Sequence, residues 1–405
     1  MTDTHVPKKA RVRLGALSGD LRVDANTRIE VDGRLVVPGE ARFRGASDVL
    51  GDLECRSFRS EDGTVHVHGN LAVGEDIHSE DAALEVDGEL RSRDVDVDRG
   101  LRVRGAIRGR SFEVGGYLEG GSSLDGTHVS AGGKVRLDGK MTAQEVEAGG
   151  TIDIAEVDLE ALEAGGFVHI GGGTVRRSIK VGGRFVSESP THFGALNAGG
   201  FAELRGDGFG GSVEVGGFFT ARGNLTFTTL EAGGFGTVEG DARGANVEIG
   251  GRFRVGGSLL LTGSLEIGGS ISVRQELSAE RLDLGGKLSA QRATIQSSAD
   301  VGGAIETQNG LKAQRILLGR HARATGPLVG GAVELRERAH AEDVYGESVE
   351  LRARASARRI VAATLRLGEG AAADEVIYSQ AAEVSPDATV RTPPRKVDQL
   401  PPFPL

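Results

Sequence analysis

Apolar residues along this chain recur in pairs with a spacing of two, and three such pairs make one repeat. The stretch 218–234 ends in a Gly-Gly pair and contains the apolar pairs Phe219/Ala221, Leu225/Phe227 and Leu230/Ala232. A spacing of two is the period of a β-strand with one buried face. The pattern therefore predicts three short strands per repeat, with all their apolar residues on one side.

Double glycines mark the length of the repeat. The stretches 134–150 and 270–286 carry the same three apolar pairs. Double glycines stand at 115–116, 132–133, 149–150, 165–166, 182–183, 199–200, 216–217, 233–234, 250–251, 268–269, 285–286 and 302–303, so most steps are 17 residues. One coil of three strands cannot bury its inner face alone, whereas a stack of coils can. We predict an all-β fold, a single-stranded parallel β-helix (triangular β-solenoid) of about 21 coils of about 17 residues.

The range of the apolar pairing gives the predicted domain boundaries. It holds over residues 21–386, which we assign to the solenoid, and residues 1–20 are polar and predicted to form a flexible arm. Five of the ten prolines lie in 391–405. Because proline cannot donate to a β-ladder, residues 387–405 are predicted to form a flexible tail. Candidate contacts of the two tails with a membrane surface or a protein partner are Lys8, Lys9, Arg11, Pro393, Pro394, Arg395, Lys396, Pro401, Pro402, Phe403 and Pro404.

Composition fits a narrow core without a membrane span. Glycine makes up 64 of the 405 residues, tryptophan is absent and aromatic residues are 4 %. We expect glycine at the corners of coils, where positive φ is often needed and backbones approach closely. No apolar run is long enough for a transmembrane helix and the first residues lack the apolar region of a signal peptide, so a cytoplasmic location is expected. The net charge of −10 argues against nucleic acid as the main partner.

No constellation of residues predicts catalysis, a cofactor or a metal site. His66 and His68 form a His-x-His on the outer face of one strand, with His78 ten residues later, but no clear set of further zinc ligands accompanies them. The glycine-rich run 171–174 is not followed by the lysine of a P-loop. The single cysteine, Cys55, takes an inward position and excludes an internal disulfide. We predict a non-enzymatic protein.

An acidic residue usually stands at the outward position of the last strand in each coil. Stacking of the coils predicts a ladder of carboxylates with steps of about 4.8 Å. Its members are Asp96, Glu113, Glu147, Glu163, Glu214, Glu231, Glu248, Glu266, Asp283 and Asp300, with interruptions at Ser130, Lys180 and Asn197. We expect this ladder to be a solvated face that keeps molecules from sticking side by side, and a docking strip for a basic partner or for cations is the alternative.

The coils resemble those of the bactofilin, or polymer-forming cytoskeletal, family. The resemblance rests on repeats such as KVRLDGKMTAQEVEAGG at 134–150 and SISVRQELSAERLDLGG at 270–286, and it covers about residues 28–386. It implies a right-handed triangular solenoid that polymerises end to end without nucleotide, serves as a scaffold and contacts a membrane through a tail. The present chain is several times longer than the usual bactofilin core.

A scaffold of this kind would associate through the exposed coils at the ends of the stack, giving a homo-oligomer or a filament. At the N-terminal end the candidate interface residues are Leu21, Val23, Ile29 and Val31. At the C-terminal end they are Leu365, Leu367, Val376, Ile377 and Tyr378.

Three alternatives share the coil pattern. A solitary β-helical adhesin or binding rod could present a surface to a partner or a polysaccharide, although aromatic platforms are few. A sugar-active β-helix enzyme would need a cluster of acidic and basic residues in a groove. A left-handed hexapeptide acyltransferase is disfavoured because a period of 17 departs from six-residue repeats.

Overall fold

The structure is a computed structural model that describes residues 2–404. The described chain is all-β, and its parallel strands form a β-solenoid of about 23 turns that lie about 17 residues apart. It divides into two compact units: the N-terminal unit ends at Gly199 and the C-terminal unit begins at Gly200. None of the described residues belongs to a helix that could cross a lipid bilayer.

The N-terminal unit contains strands β1 to β21. Their bounds are β1 Thr4–Val6, β2 Arg11–Ala16, β3 Leu21–Val23, β4 Thr27–Arg44, β5 Ser47–Val67, β6 Leu71–Val73, β7 Asp76–Val86, β8 Leu90–Arg91, β9 Asp94–Val97, β10 Gly100–Val103, β11 Ile107–Arg108, β12 Ser111–Val114, β13 Tyr117–Gly120, β14 Leu124–Asp125, β15 His128–Ala131, β16 Lys134–Ala148, β17 Thr151–Ala164, β18 Phe167–Ile170, β19 Gly173–Val181, β20 Arg184–Ser187 and β21 Thr191–Ala198.

The C-terminal unit contains strands β22 to β45. Their bounds are β22 Phe201–Leu204, β23 Gly208–Val215, β24 Phe218–Ala221, β25 Leu225–Thr226, β26 Thr229–Ala232, β27 Phe235–Val238, β28 Ala242–Gly244, β29 Asn246–Ile249, β30 Arg252–Val255, β31 Leu259–Leu261, β32 Ser264–Ile267, β33 Ser270–Val273, β34 Glu276–Leu284, β35 Lys287–Ala290, β36 Arg292–Val301, β37 Ala304–Thr307, β38 Leu311–Leu318, β39 Arg323–Thr325, β40 Leu328–Leu335, β41 His340–Leu351, β42 Ser356–Leu367, β43 Ala372–Val384, β44 Thr389–Val390 and β45 Arg395–Lys396.

Each coil has three faces, which we define on the coil 134–150. Face A follows one Gly-Gly pair and contains Val135, face B contains Met141, and face C contains Val146 and precedes the next Gly-Gly pair. The three short strands β13, β14 and β15 of the preceding coil pair in parallel with these three parts of β16. Outward residues of successive coils therefore stand directly opposite one another and form columns.

The inward residues predicted from the spacing of two are buried. The six apolar residues of the pairs between Phe219 and Ala232 are at most 5 % exposed. Cys55 is also inward and buried, and burial raises the pKa of its thiol to about 12. The alternating pattern thus predicts the core correctly, and Cys55 is an unreactive thiol at neutral pH.

The paired glycines form an edge between face C and face A, which we call the glycine edge. A Cβ built on Gly150 would lie 2.7 Å from the carbonyl oxygen of Gly133, and one built on Gly234 would lie 2.7 Å from that of Gly217. Among the described residues none of these pairs has positive φ. The expected close approach of backbones is therefore confirmed, and the expected need for positive φ is wrong at this edge.

The predicted flexible arm over residues 1–20 is instead part of the stack. Strand β1 pairs with β3, and the segment from Arg11 to Leu14 of β2 pairs with the start of β4. Three apolar residues of this first coil take inward positions, with Val6 buried and Val12 and Leu14 half-buried. This extra coil is one reason why the turns number about 23 and not about 21.

The predicted flexible tail over residues 387–405 is docked within its described part. Strands β44 and β45 pair with the outer edge of β43. The chain then turns back along face B, where Val397, Leu400 and Phe403 pack against a buried outward column. This column consists of Val329, Tyr345, Val361 and Ile377. The rings of Phe403 and Tyr345 lie 5.8 Å apart, centroid to centroid.

Candidate functional site

The residues predicted to form the end contacts do not lie at the ends of the stack. Leu21 and Val23 are fully buried under β1, while Ile29 is buried and Val31 half-buried under β2. Leu365, Leu367 and Val376 are buried core residues. Ile377 is buried on the outer side of face B, under the docked tail, and Tyr378 is half-buried. These residues are therefore not available for a contact without local opening.

An uncovered edge lies just after Tyr378 along the chain, on face C of the last complete coil. There Thr364 to Leu367 pair with the segment Ala381–Val384 of β43. Strands β44 and β45 cover the parts of β43 on faces A and B only. Ala382 and Val384 occupy inward positions, opposite Leu365 and Leu367, yet Val384 is 39 % exposed. In the described chain nothing covers this third of the coil, and we call it the C-edge.

A second uncovered edge lies at the first coil of the N-terminal unit. Its face C strand is β1, which pairs on one side with Leu21–Val23. Within residues 2–404 no strand pairs with its other side. Thr4 and Val6 take the inward positions of this strand, and His5 takes the outward one. We call this strand the N-edge.

The predicted tail contacts are mostly exposed, though the segments around them are ordered. Lys8 and Lys9 lie in an exposed turn, and Arg11 is an exposed residue of β2. Arg395 and Lys396 form β45, with their side chains exposed. Pro393, Pro394, Pro402 and Pro404 are exposed, whereas Pro401 and Phe403 are half-buried by the docking of the tail.

The predicted acidic ladder exists in the predicted register. In the C-terminal unit six consecutive coils place acidic residues directly opposite one another on face C: Glu214, Glu231, Glu248, Glu266, Asp283 and Asp300. Within the described residues none of the six forms an ion pair with a basic side chain. Partial burial and the charge of Asp283 raise the pKa of Asp300. We call these six residues the acid column.

An exposed ridge of aromatic rings runs along the other side of the glycine edge in the C-terminal unit. Phe201, Phe218 and Phe235 are the first residues of face A in three successive coils and are 51 %, 44 % and 45 % exposed. Their centroids lie 5.1 and 5.2 Å apart, and neighbouring rings are nearly parallel. The sequence analysis missed this phenylalanine ridge, although each phenylalanine directly follows a Gly-Gly pair.

Beyond Phe235 the same column contains the basic residues Arg252, Lys287 and Arg323, which alternate with Ser270 and Ala304. A shallow groove of about 700 Å³ runs over the glycine edge and is lined by Phe235, Arg252, Lys287, His321 and Arg323. The glycine edge of the C-terminal unit thus separates a column of carboxylates from a column that is first aromatic and then basic. Exposed apolar surface rimmed by charge is typical of a protein-binding region.

A groove of about 660 Å³ in the N-terminal unit contains the mixed charges that a sugar-active enzyme would need. His78 Nδ1 lies 3.0 Å from Asp96 Oδ2, and Arg110 donates to Asp94 at 2.7 Å. The hydrogen bond from Arg110, aided by Arg93 and opposed by burial, holds the pKa of Asp94 below its usual range. A general acid for glycoside cleavage needs a raised carboxyl pKa, so Asp94 is not suited to that role.

The His-x-His motif has neighbours that the sequence analysis did not find. One ring nitrogen each of His66 and His68 and one carboxylate oxygen of Asp48 lie within 4.8 Å of one another. Asp87 Oδ2 lies 3.1 Å from a nitrogen of each ring. Asp48 and Asp87 come from the coils before and after, so aligning the irregular coils on their inward valines would have revealed them.

Comparison with protein-family models, curated proteins and solved structures gives no match. What this solenoid does is therefore inferred from the geometry of its own residues.

Proposed function

We propose that this protein is a non-enzymatic scaffold that self-assembles end to end, without nucleotide, through its two coil edges. The observation that carries the proposal is the uncovered C-edge, where inward apolar positions face solvent next to a β-strand with one unpaired side. Such an edge is a template for another strand unless it is blocked. The tail blocks faces A and B but leaves face C free.

The N-edge fits the gap at the C-edge. In every coil the segments follow the order A, B, C, and β45 on face B is the last strand that the described residues form. The next segment in that order is a face C strand, and β1 is a face C strand. Stacked in the register used inside the chain, β1 of one copy would place Thr4 and Val6 on Ala382 and Val384.

Hydrogen bonding favours the same pairing. In this register His5 of one copy lies opposite Glu383 of the next, where an imidazole N–H can donate to the carboxylate. Contact between the C-edge of one copy and the N-edge of the next is heterologous. Such head-to-tail contacts form a ring only if the rotation between copies closes, so straight stacking yields a polar filament. A bactofilin-like scaffold in the cytoplasm, with a membrane surface or another protein as tail ligand, is the setting that the sequence resemblance favours.

The test uses two variants that each block one edge. Val384→Arg places a charge at the inward position of the C-edge, and Val6→Arg does so at the N-edge. Each variant alone should remain monomeric in sedimentation velocity experiments at concentrations where the wild type forms larger species. An equimolar mixture retains one working C-edge and one working N-edge, and it should form dimers that grow no further.

The matched control is Thr226→Arg, an exposed outward position in the middle of the C-terminal unit. It should assemble as the wild type does. Because Val6 is buried, the circular dichroism spectrum of Val6→Arg must match that of the wild type; if it does not, His5→Glu, which faces Glu383 with like charge, replaces it. A wild type that stays monomeric at all concentrations contradicts the proposal, and dimers formed by Val6→Arg alone would show like-to-like contact through C-edges.

A second candidate function is lateral binding of a protein partner, and the phenylalanine ridge favours it. Parallel rings 5.1 and 5.2 Å apart cover one another's faces, so the ridge presents ring edges. Sugars stack on ring faces, so this arrangement suits a protein surface better than a polysaccharide. Phe218→Gln should abolish such binding, and Thr220→Gln on the same strand should not; equal binding by both variants would exclude the ridge.

A further inference from the structure

The two histidines of the His-x-His motif lean towards each other on the outer face of the N-terminal unit. Residues two apart on a strand are separated by about 6.7 Å along it. The ring centroids of His66 and His68 are nevertheless only 3.8 Å apart. Both side chains are partly buried, and the buried Nε2 atom of His66 lies 3.1 Å from Asp87 Oδ2 without the angles of a hydrogen bond. Two imidazole rings packed this closely offer their nitrogens to a common ligand.

Asp87 orients the ring of His68. Its Oδ2 atom lies 3.1 Å from His68 Nδ1, within hydrogen-bond distance, and Arg104 Nη1 lies 3.1 Å from Oδ1 of the same carboxylate. When Nδ1–H of a neutral imidazole donates a hydrogen bond to such a carboxylate, the Nε2 atom of the same ring keeps its lone pair.

The Nε2 atom of His68 lies near a second carboxylate, that of Asp48. His68 Nε2 lies 3.8 Å from Asp48 Oδ1, which is too far for a hydrogen bond. A nitrogen of His66 completes a set of three donor atoms within 4.8 Å of one another. Ligands of a tetrahedral zinc ion at bond lengths of about 2.0–2.2 Å are separated by about 3.3 Å, so small rotations of these side chains suffice. Three electron-pair donors this close together make a candidate site for a cation.

We propose that Asp48, His66 and His68 bind a divalent transition-metal ion of the zinc class, with Asp87 as the carboxylate that orients His68. Two imidazoles and one carboxylate are ligands that suit Zn²⁺, Ni²⁺ or Cu²⁺, whereas Mg²⁺ and Ca²⁺ prefer oxygen ligands alone. A carboxylate on the far nitrogen of a ligating histidine is the usual outer-shell support. Water fills the remaining coordination position because the site is open to solvent.

The placement gives the ion a structural role. Asp48 and Glu85 stand in the coils before and after His66 in the outward column of face A, and Asp87 lies two residues beyond Glu85. The ion and its outer shell therefore connect three successive coils in a region where the coil length is irregular. Because the ligands converge only in the folded chain, binding should stabilise these coils against unfolding.

The experiment uses the full chain without a histidine tag, after treatment with a chelator. Titration with Co²⁺ should give about one equivalent of a tetrahedral d–d absorption band, which Zn²⁺ then displaces. Zn²⁺ should raise the melting temperature, whereas Mg²⁺ should not. His68→Asn should weaken zinc binding at least 100-fold, and Asp87→Asn should weaken it about 10–100-fold, as for other outer-shell partners.

A matched control is available on the same face of the same unit. His169 lies between Asp153, 2.8 Å from its Nδ1, and Glu188, 3.0 Å from its Nε2, but within the described chain it has no second imidazole beside it. His169→Asn should leave metal binding unchanged. All variants must retain the circular dichroism spectrum of the wild type in chelator, which separates loss of binding from loss of fold. Absence of a stoichiometric Co²⁺ band, or zinc binding unaffected by His68→Asn, would overturn the proposal.

Discussion

The two units each contain an outward column of charged residues in the same backbone register, but the charges are arranged differently. One column alternates in sign and the other carries a single sign. In the N-terminal unit the column on face A alternates in charge, because Glu85, Arg102, Glu119, Arg136 and Asp153 stand opposite one another in successive coils. Arg102 donates to Glu119 at 2.9 Å and to Glu85 at 3.3 Å. In the C-terminal unit the acid column carries one sign through six coils.

This difference shows that in-register stacking makes each outward charge interact with the equivalent residues of the coils on either side. In a solenoid each outward residue meets its equivalents at about 4.8 Å on both sides. Two like charges at that distance repel by about 0.9 kcal/mol in water, less with salt, and opposite charges attract by a similar amount. The alternating column is therefore internally neutralised, while the acid column projects a field into solvent and gains no stabilisation from its own charges.

The largest expected effect concerns what the two units share, the dry core. Leu225→Asp in the C-terminal unit and Ile152→Asp in the N-terminal unit each place an unpaired charge at a fully buried position. Each should cost more than about 4 kcal/mol or unfold the neighbouring coils. Limited proteolysis should locate new cleavage sites near each substitution, since each coil contacts only its neighbours. Thr226→Asp, at an exposed position, should have an effect within about 0.5 kcal/mol.

Neutralising one carboxylate should have opposite effects in the two columns. Glu119→Gln removes the main partner of Arg102 and should lower stability by a few tenths to about 1 kcal/mol. Glu248→Gln, between Glu231 and Glu266, relieves repulsion and should raise stability by a similar amount. Denaturant unfolding at low and high salt measures both, and the difference should shrink at high salt. If both variants change the stability in the same direction, the proposed difference between the two columns is wrong.

Repulsion along the acid column also has a consequence for association. The combined variant Glu214→Gln, Glu231→Gln and Glu248→Gln should keep its fold and associate side by side more than the wild type does. Light scattering at low salt, where surface charge acts most strongly, is the measurement. If the variant remains as dispersed as the wild type, the column does not act as a spacer.

Sequence reasoning succeeded where one coil repeats the next. Inward positions such as Leu225 and Leu230 and outward positions such as Glu231 follow from a period of 17 and a strand period of two. The first coil was missed because basic residues such as Arg11 and Arg13 fill its outward positions, although Val6, Val12 and Leu14 keep the inward pattern.

Contacts that break the repeat were not predicted. The tail docks through Val397, Leu400 and Phe403, whose spacing is not that of a strand in the stack. Its receiving column, which includes Val361 and Ile377, is apolar on an outward side, a signal visible once coils are aligned in steps of 16. The His–Asp cluster lies where coil lengths vary, so the sequence alone does not fix which residues meet.

A smaller effect concerns Asp300, the last residue of the acid column, and the pH dependence of its contribution to stability. The raised pKa of Asp300 means that its charged form is less favourable in the folded protein than in the unfolded chain. The cost is present above the folded pKa and is relieved as pH falls through that value towards the unfolded pKa of about 3.9. Asp300→Asn should therefore raise the melting temperature at pH 7 and lose this advantage near pH 3.5. An advantage that persists at pH 3.5 would assign the effect to packing.

The smallest effect concerns His169, where the face A column of the N-terminal unit continues beyond Asp153. Burial acts to lower its pKa, but hydrogen bonds and charge from Asp153 and Glu188 outweigh burial and raise it. A raised folded pKa favours the protonated ring, so the stabilisation is complete below the unfolded pKa of about 6.5 and is lost as pH rises through the folded value. The ring is one-third exposed, so solvent screening limits the effect to a few tenths of a kcal/mol. His169→Gln should lower the melting temperature at pH 5.5 and have no effect at pH 9, the reverse of the pH trend for Asp300→Asn.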